Sequence, residues 1–216
     1  MRGKKLDIYA TEKEQLDQIK KWWGEYGKAI ILGLVLGLGG LFGYRYWEST
    51  RLAEGQNASL NYEHLLGVAS TGARDEAIDA GNAIIVGYPK STYAKLSALI
   101  LAKLAVDVRN LDEAKARLQW VIDNSDAGKI KPVAQKRLVQ IYLAENNFED
   151  AASLLTQVEP AFENQFSELR GDVFLAQGKL ELARAKYKKA LEEAQQRGDP
   201  GEYIQLKIDN LNISGQ

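Results

Sequence analysis

The sequence predicts an all-α protein in which a single N-terminal transmembrane helix precedes a helical-repeat (solenoid) domain. Three observations lead to this prediction. Sixteen uncharged residues, 29–44, form one apolar run. From residue 58 onwards, apolar residues recur at steps of three and four with almost no alternation, which is the period of a helix. In that second part an alanine recurs in similar helical contexts at spacings of 37, 37 and 32 residues, which indicates an internal repeat.

The first predicted element is a cytoplasmic N-terminal segment, residues 1–28. Leu16, Ile19, Trp22 and Trp23 form an i, i+3, i+6, i+7 stripe, which is typical of a short amphipathic helix lying on a membrane surface. We expect this segment to orient the membrane anchor that follows it.

Residues 29–47 are predicted to be the transmembrane helix with its interfacial aromatic belt. As a helix the uncharged run is roughly 24 Å long against a hydrocarbon core of roughly 30 Å, so aromatic residues on both flanks complete the span. Seven Lys and Arg residues in 1–28, against two in 29–57, place the N-terminus in the cytoplasm. We therefore predict a single-pass protein of the cell inner membrane with a periplasmic C-terminal domain. A buried core helix or a cleaved signal peptide is the alternative, but neither needs two aromatic belts, and residues 44–47 offer no cleavage site.

Two pairs of glycines within the run have small-xxx-small spacing. Gly33 with Gly37, and Gly39 with Gly43, allow the backbone of another membrane helix to approach closely. We predict these four as membrane-helix packing residues. The competing interpretation is that glycine is simply frequent in membrane helices.

A linker, residues 48–57, is predicted to lead into a periplasmic tetratricopeptide-like domain, residues 58–216, with about four helical hairpins and a C-terminal capping helix. The alanine spacings bracket the 34-residue tetratricopeptide period. In the last unit, Gly171 allows close helix packing and Gly178 supplies the turn between the two helices. The capping helix is predicted over residues 202–211, after a break at residues 198–201. The repeats are aligned on Ala77, Ala114, Ala151 and Ala183.

The first helices of the hairpins are predicted to line a concave groove that binds another protein. We call the residues predicted to line it "the predicted groove": Tyr62, Leu66, Leu99, Lys103, Lys136, Gln140, Glu168 and Asp172. These residues mix apolar groups with opposite charges, whereas a site for a C-terminal carboxylate would gather several cationic or amide side chains. We therefore expect a broad protein-binding surface. At each single position, an ordinary solvated helix residue is the competing interpretation.

The composition excludes several classes of function. The chain has no cysteine and one histidine, His64, which excludes disulfides, thiolate zinc sites, cysteine nucleophiles and two-histidine metal centres. Its 28 Lys and Arg residues against 29 Asp and Glu give no basic surplus for nucleic acid. No phosphate-binding GxxxxGK[ST] motif occurs. We predict no enzyme activity, no catalytic or metal-binding residue and no cofactor.

Several segments are similar to one known family. They are residues 9–15 (YATEKEQ), 20–23 (KKWW), 43–47 (GYRYW), 58–62 (ASLNY) and 206–211 (LKIDNL). With these, the chain resembles the YfgM family of Gram-negative inner-membrane proteins, ancillary subunits of the SecYEG translocon, over essentially its whole length. The resemblance implies two partners, the translocon and a membrane-anchored periplasmic chaperone of the PpiD type. It also implies a role in passing newly translocated proteins to periplasmic chaperones, a link to envelope stress signalling, and no catalytic residues.

Taken together, these expectations describe a non-enzymatic scaffold whose membrane anchor raises the effective concentration of weak groove contacts. The main alternative is a holdase that binds unfolded secretory proteins directly in the groove. A third hypothesis, a cell-envelope enzyme or its activator, would need a pocket with convergent ionisable groups.

Overall fold

The computed structural model of the protein describes residues 8–126 and 128–214, and the side chains of residues 16–28, 31–48, 53–126 and 128–211. All regular secondary structure in these residues is helical, which confirms the predicted all-α class. A boundary between two compact units lies between Gly55 and Gln56. The α-helices are α1 (Ile8–Thr71), α2 (Arg74–Gly87), α3 (Thr92–Asp107), α4 (Leu111–Asp123), α5 (Ile130–Ala144), α6 (Phe148–Thr156), α7 (Ser167–Ala176), α8 (Leu180–Gln196) and α9 (Glu202–Ser214), and a 3-10 helix covers Pro160–Gln165.

Helix α1 contains the predicted membrane anchor. No single helix among the described residues has the length and apolar composition that crossing a membrane requires. The segments Leu16–Lys28 and Ile31–Thr71, which are bent by 46° relative to each other, meet that requirement only as a pair. Apolar side chains of the anchor are exposed, with Leu36 at 66% and Phe42 at 70%. An added Cβ at Gly33, Gly37, Gly39 or Gly43 would meet no atom within 4 Å, so these glycines do not pack against any described part of the chain.

The predicted linker, residues 48–57, is helical and lies inside α1. The segment contains no proline, and helix-forming residues such as Glu48, Leu52 and Ala53 outweigh the weak helix former Gly55. The boundary between the two units therefore falls within a continuous helix.

After the boundary, helices pair in succession along the chain. Helix α3 packs against α4, α5 against α6, and α7 against α8. The first helices of these hairpins, α3, α5 and α7, also contact their neighbours directly. The four alanines used to align the repeats, Ala77, Ala114, Ala151 and Ala183, are all 0% exposed, which confirms that each lies where helices meet closely.

The turns between helices have the backbone conformations that the sequence indicates. Asn146 and Gly178 take positive φ angles of 58° and 73°, which asparagine and glycine tolerate better than other residues. Side chains of Ser91, Asn110 and Asn147 accept backbone N–H groups at the starts of α3, α4 and α6.

The packing of the last hairpin depends on a missing side chain. A Cβ on Gly171 of α7 would collide with the ring of Tyr187 of α8, which is completely buried. This contact confirms the predicted close approach of the two helices at Gly171. Tyr187 belongs to a core cluster shared by α8 and α9, and a larger cluster extends from α3 to α7.

Candidate protein-binding groove

An open cavity of about 390 Å³ lies between the first helices of two successive hairpins. We call it the α3–α5 crevice. Its volume falls within the roughly 300–1,000 Å³ that is usual for binding pockets. Six apolar residues and three polar residues line it: Ala102, Val106, Leu111, Leu118, Ile141 and Ala144, together with Lys103, Arg137 and Gln140.

Arg137 of α5 lines the α3–α5 crevice and is hydrogen-bonded to α3. Its Nη1 donates a hydrogen bond to the backbone oxygen of Leu99, 3.3 Å away. A guanidinium has five N–H donors, so most of them stay available after this bond forms. No carboxylate lies within ion-pair distance of Arg137 in the part of the chain that the structure describes. The backbone contact therefore holds a cation at the crevice without neutralising it.

The positive charge of Lys103, the second cation of the α3–α5 crevice, is neutralised by a neighbouring carboxylate. Lys103 Nζ lies 2.8 Å from Oδ2 of Asp107, one helical turn further along α3. Both side chains are well exposed, so this pair contributes little to stability. It does neutralise Lys103, which leaves Arg137 as the uncompensated charge among the lining residues.

Two residues of the predicted groove, Lys103 and Gln140, lie together in the α3–α5 crevice. Leu99 does not, and the prediction that it faces the groove is wrong: its side chain is only 7% exposed and belongs to the main core cluster. The reason is that α3 packs against α2, α4 and α5, so that most of its circumference is buried.

Tyr62 and Leu66 lie in the last turns of α1, outside the set that lines the α3–α5 crevice. The ring of Tyr62 packs 5.5 Å from the ring of Tyr93, and burial raises the pKa of the Tyr62 hydroxyl. Leu66 is 45% exposed, whereas its neighbour Leu65 is completely buried. The ring of Tyr62 is thus partly buried against Tyr93, whereas the side chain of Leu66 is exposed to solvent.

Glu168 and Asp172 of the predicted groove are bound within the protein. Oε1 of Glu168 and Oδ1 of Asp172 each lie 2.7 Å from Nζ of Lys207 in α9. The hydroxyl of Tyr187 also donates to Oδ1 of Asp172 at 2.7 Å. Glu168 therefore ties α7 to α9, and Asp172 ties α7 to both α8 and α9, while Lys207 balances one of their two negative charges.

Lys136, on α5, contacts Phe166 of the larger core cluster. Its Nζ lies 5.2 Å from the centre of the Phe166 ring, at a distance suited to a cation–π contact. Burial lowers the pKa of Lys136, and the nearby charge of Arg197 lowers it further. A half-buried lysine in these surroundings favours a packing role.

Sequence reasoning missed Arg137 and Lys207. Arg137 directly follows Lys136, and a change of one residue rotates a side chain by about 100° around a helix, so a small error in helix phase selects the wrong neighbour. Lys207 lies in the helix predicted as a cap, where no groove residue is expected. A search for cations on every first helix, α9 included, would have found both.

Successive helical hairpins, with a crevice between first helices, define the class of tetratricopeptide-like repeat proteins. The family model described as "Tetratricopeptide repeat-like domain" matches residues 20–213. Relatives named "Ancillary SecYEG translocon subunit" match nearly the full length. The relative from Escherichia coli (strain K12) is 30% identical over 213 residues, which cover 96% of this chain and 100% of the relative. The relative from Aggregatibacter actinomycetemcomitans is 32% identical over 205 residues, with coverages of 94% and 99%. That from Haemophilus influenzae is 31% identical over 209 residues, also with coverages of 94% and 99%.

The chain therefore belongs to the family of ancillary SecYEG translocon subunits, the YfgM family. This confirms the resemblance seen in the sequence.

Proposed function

We propose that the protein is a non-enzymatic inner-membrane scaffold of the SecYEG translocon. In this proposal it binds a periplasmic chaperone of the PpiD type and helps to pass newly translocated proteins to the periplasmic chaperone network, with an influence on envelope stress signalling. The observation that carries the proposal is the near-complete match to relatives named for the translocon. The α3–α5 crevice supports it, because an exposed apolar pocket with a polar rim suits protein binding.

The proposed topology is a single pass with the N-terminus in the cytoplasm and the repeats in the periplasm. The exposed apolar side chains of residues 31–42 support it, since lipid would cover them. Exposed aromatic rings at both ends of this segment, among them Trp22 and Trp47, suit the two interfaces. In this topology the four anchor glycines, which face open space, are available to a helix of the translocon.

The proposed mechanism is tethering. An anchor beside the translocon confines the repeats to the region where translocated chains emerge, which raises the effective concentration of each weak contact. Modest affinity at the α3–α5 crevice is then enough to retain a partner that would dissociate freely in solution.

The experiment is a mild-detergent affinity purification of the C-terminally tagged, full-length protein from membranes. It is repeated with the anchor replaced by an unrelated spanning helix. We expect the intact protein to recover SecYEG and a periplasmic chaperone. Recovery of both after the replacement assigns recognition to the repeats, and loss of SecYEG alone assigns that contact to the glycine-bearing helix. Recovery of neither partner by the intact protein contradicts the proposal.

The apolar walls of the α3–α5 crevice also favour a second candidate, a holdase that binds unfolded clients directly. The two candidates differ in a simple assay. A holdase suppresses the aggregation of a chemically unfolded secretory protein when the full-length protein, held in detergent or nanodiscs, is the only addition. The scaffold does so only when its chaperone partner is also present.

A further inference from the structure

We propose that the α3–α5 crevice binds a partner segment in which one bulky apolar side chain lies close to an Asp or Glu side chain. The apolar group fills the cavity and the carboxylate binds Arg137. This inference rests on the proposed function, because it states the chemistry of the segment that the partner presents to the repeats.

The preference for a bulky apolar side chain follows from the residues that form the walls of the cavity. Six of its nine lining residues are apolar, and they come from three helices, α3, α4 and α5. Val106 stays 41% exposed at the crevice, although most of the apolar residues around it are buried. Water in contact with this wall is released when a hydrocarbon group enters, which favours a leucine or an aromatic side chain over a polar one.

The preference for an Asp or Glu side chain follows from the charges at the α3–α5 crevice. Lys103 and Asp107 neutralise each other at 2.8 Å, so neither attracts a ligand strongly. Arg137, an exposed side chain of α5, is bound to a backbone oxygen of α3 instead of a carboxylate, and that bond restrains its side chain at the crevice. A guanidinium held in place in this way binds a carboxylate through two parallel hydrogen bonds with little further loss of side-chain freedom.

The charges at the α3–α5 crevice also favour binding of an Asp or Glu side chain over binding of a C-terminal carboxylate. Capture of a C-terminal carboxylate uses several converging donors, whereas Arg137 is the single uncompensated cation among the lining residues. Towards the C-terminal end of the domain, Lys207 is already bound by the two carboxylates Glu168 and Asp172, so this region does not attract another carboxylate. We therefore place the contact at the α3–α5 crevice and assign it to an internal segment of the partner.

The test is a selection with the full-length protein in lipid nanodiscs. The probe is a displayed library of internal peptides with nine randomised positions. We expect enrichment of peptides that carry Phe, Leu or Trp within four positions of Asp or Glu. Arg137→Gln should remove the acidic preference, keep the apolar preference and weaken binding of the selected peptides about tenfold. Ala144→Phe, which places a ring at the cavity, should remove the apolar preference.

Two further variants make the result specific. Lys188→Gln removes a positive charge from an exposed position on α8 and should leave both preferences unchanged. Arg137→Lys keeps the charge without the planar fork and should retain part of the acidic preference, which separates binding from any folding defect of Arg137→Gln.

No enrichment, or an acidic preference that survives Arg137→Gln in a folded protein, would overturn the inference. The selection contains no translocon and no chaperone. A failure here combined with successful recovery of SecYEG and a periplasmic chaperone from membranes therefore rejects the subsite and leaves the proposed function standing.

Discussion

At the residue scale, the repeat domain depends on positions where a side chain is small or absent. The four aligning alanines are completely buried, and Gly171 faces the ring of Tyr187 with no room for another carbon. Protein interiors are packed tightly enough that one added group at such a position forces neighbouring atoms to shift.

Gly171→Ala tests this packing. The new methyl group must displace the buried Tyr187 ring, so we expect a loss of about 1–3 kcal/mol in the free energy of unfolding. The matched control is Gly67→Ala, on an exposed face of α1 where the added carbon meets nothing within 4 Å. The control should gain roughly 0.5–1 kcal/mol, because alanine favours helix over glycine. Thermal unfolding of the full-length protein in detergent measures both; equal shifts would contradict the proposed packing.

Ala183→Arg tests the alignment of the last repeat. Ala183 is 0% exposed, so an arginine there must either bury its charge or separate α7 from α8, at a cost of several kcal/mol. Ala185, two residues further along α8, is exposed. Ala185→Arg should therefore change the unfolding midpoint by no more than a degree or two. An unchanged midpoint for Ala183→Arg would show that the repeat alignment is wrong.

At the element scale, the terminal helix α9 is held by a compact set of polar contacts. Lys207 binds both Glu168 and Asp172, and it lies 5.5 Å from the ring of Tyr187. Its ammonium group is only partly exposed, so these contacts are screened less than those of a free surface pair. Lys207 therefore links α9 to α7 and α8.

Alkaline pH should weaken this link. Burial alone would lower the pKa of Lys207, but its hydrogen bonds to Asp172 and Glu168 outweigh burial and leave the pKa raised. Burial and the hydrogen bond to Asp172 also raise the pKa of Tyr187 well above its usual value. Both groups then keep their protons in the folded protein at pH values where the unfolded chain loses them. Their stabilisation is complete below the unfolded pKa values, about 10 for tyrosine and 10.4 for lysine, and declines as the pH rises past them.

We therefore expect Lys207→Met combined with Tyr187→Phe to flatten the loss of stability between about pH 9.5 and 11.5. At neutral pH Lys207→Met alone should cost about 1–2 kcal/mol, a value reduced for the partial exposure of both carboxylates. Lys188→Met, at an exposed position on the same helix as Tyr187, is the control and should reproduce the wild-type profile. A double variant that loses stability as steeply as the wild type would refute the proposed role of Lys207.

Much of this element structure could be predicted from the sequence. The alanine period locates the hairpins, and residues such as Asn146 and Gly178 mark turns because they tolerate positive φ angles. The helical state of residues 48–57 could not be predicted from a change of composition, because a boundary between compact units need not interrupt a helix.

The candidate site was harder to predict than the fold. Lys103 and Gln140, which the repeat alignment places on first helices, both line the α3–α5 crevice. Leu99 was misplaced because α3 is buried on several sides, which depends on neighbours far along the chain. Arg137 could not be recognised as uncompensated until the positions of all nearby carboxylates were known.

At the scale of the whole molecule, one chain combines an N-terminal helix bearing exposed apolar side chains with a set of helical repeats. Family membership connects it with the SecYEG translocon through its relatives' names. In the proposed function the first part determines where the protein is, and the repeats determine what it holds there.

Site-specific photo-crosslinking in living cells tests the central claim most directly. A photo-reactive amino acid is placed either at Gln140, in the α3–α5 crevice, or at Ala116, which is exposed on α4 and does not line the crevice. We predict a discrete crosslink from Gln140 to a periplasmic chaperone associated with the translocon, no such product from Ala116, and loss of the product when Arg137→Gln is added. Equal crosslinks from both positions, or a chaperone product from Ala116 alone, would contradict the assignment of partner binding to the α3–α5 crevice.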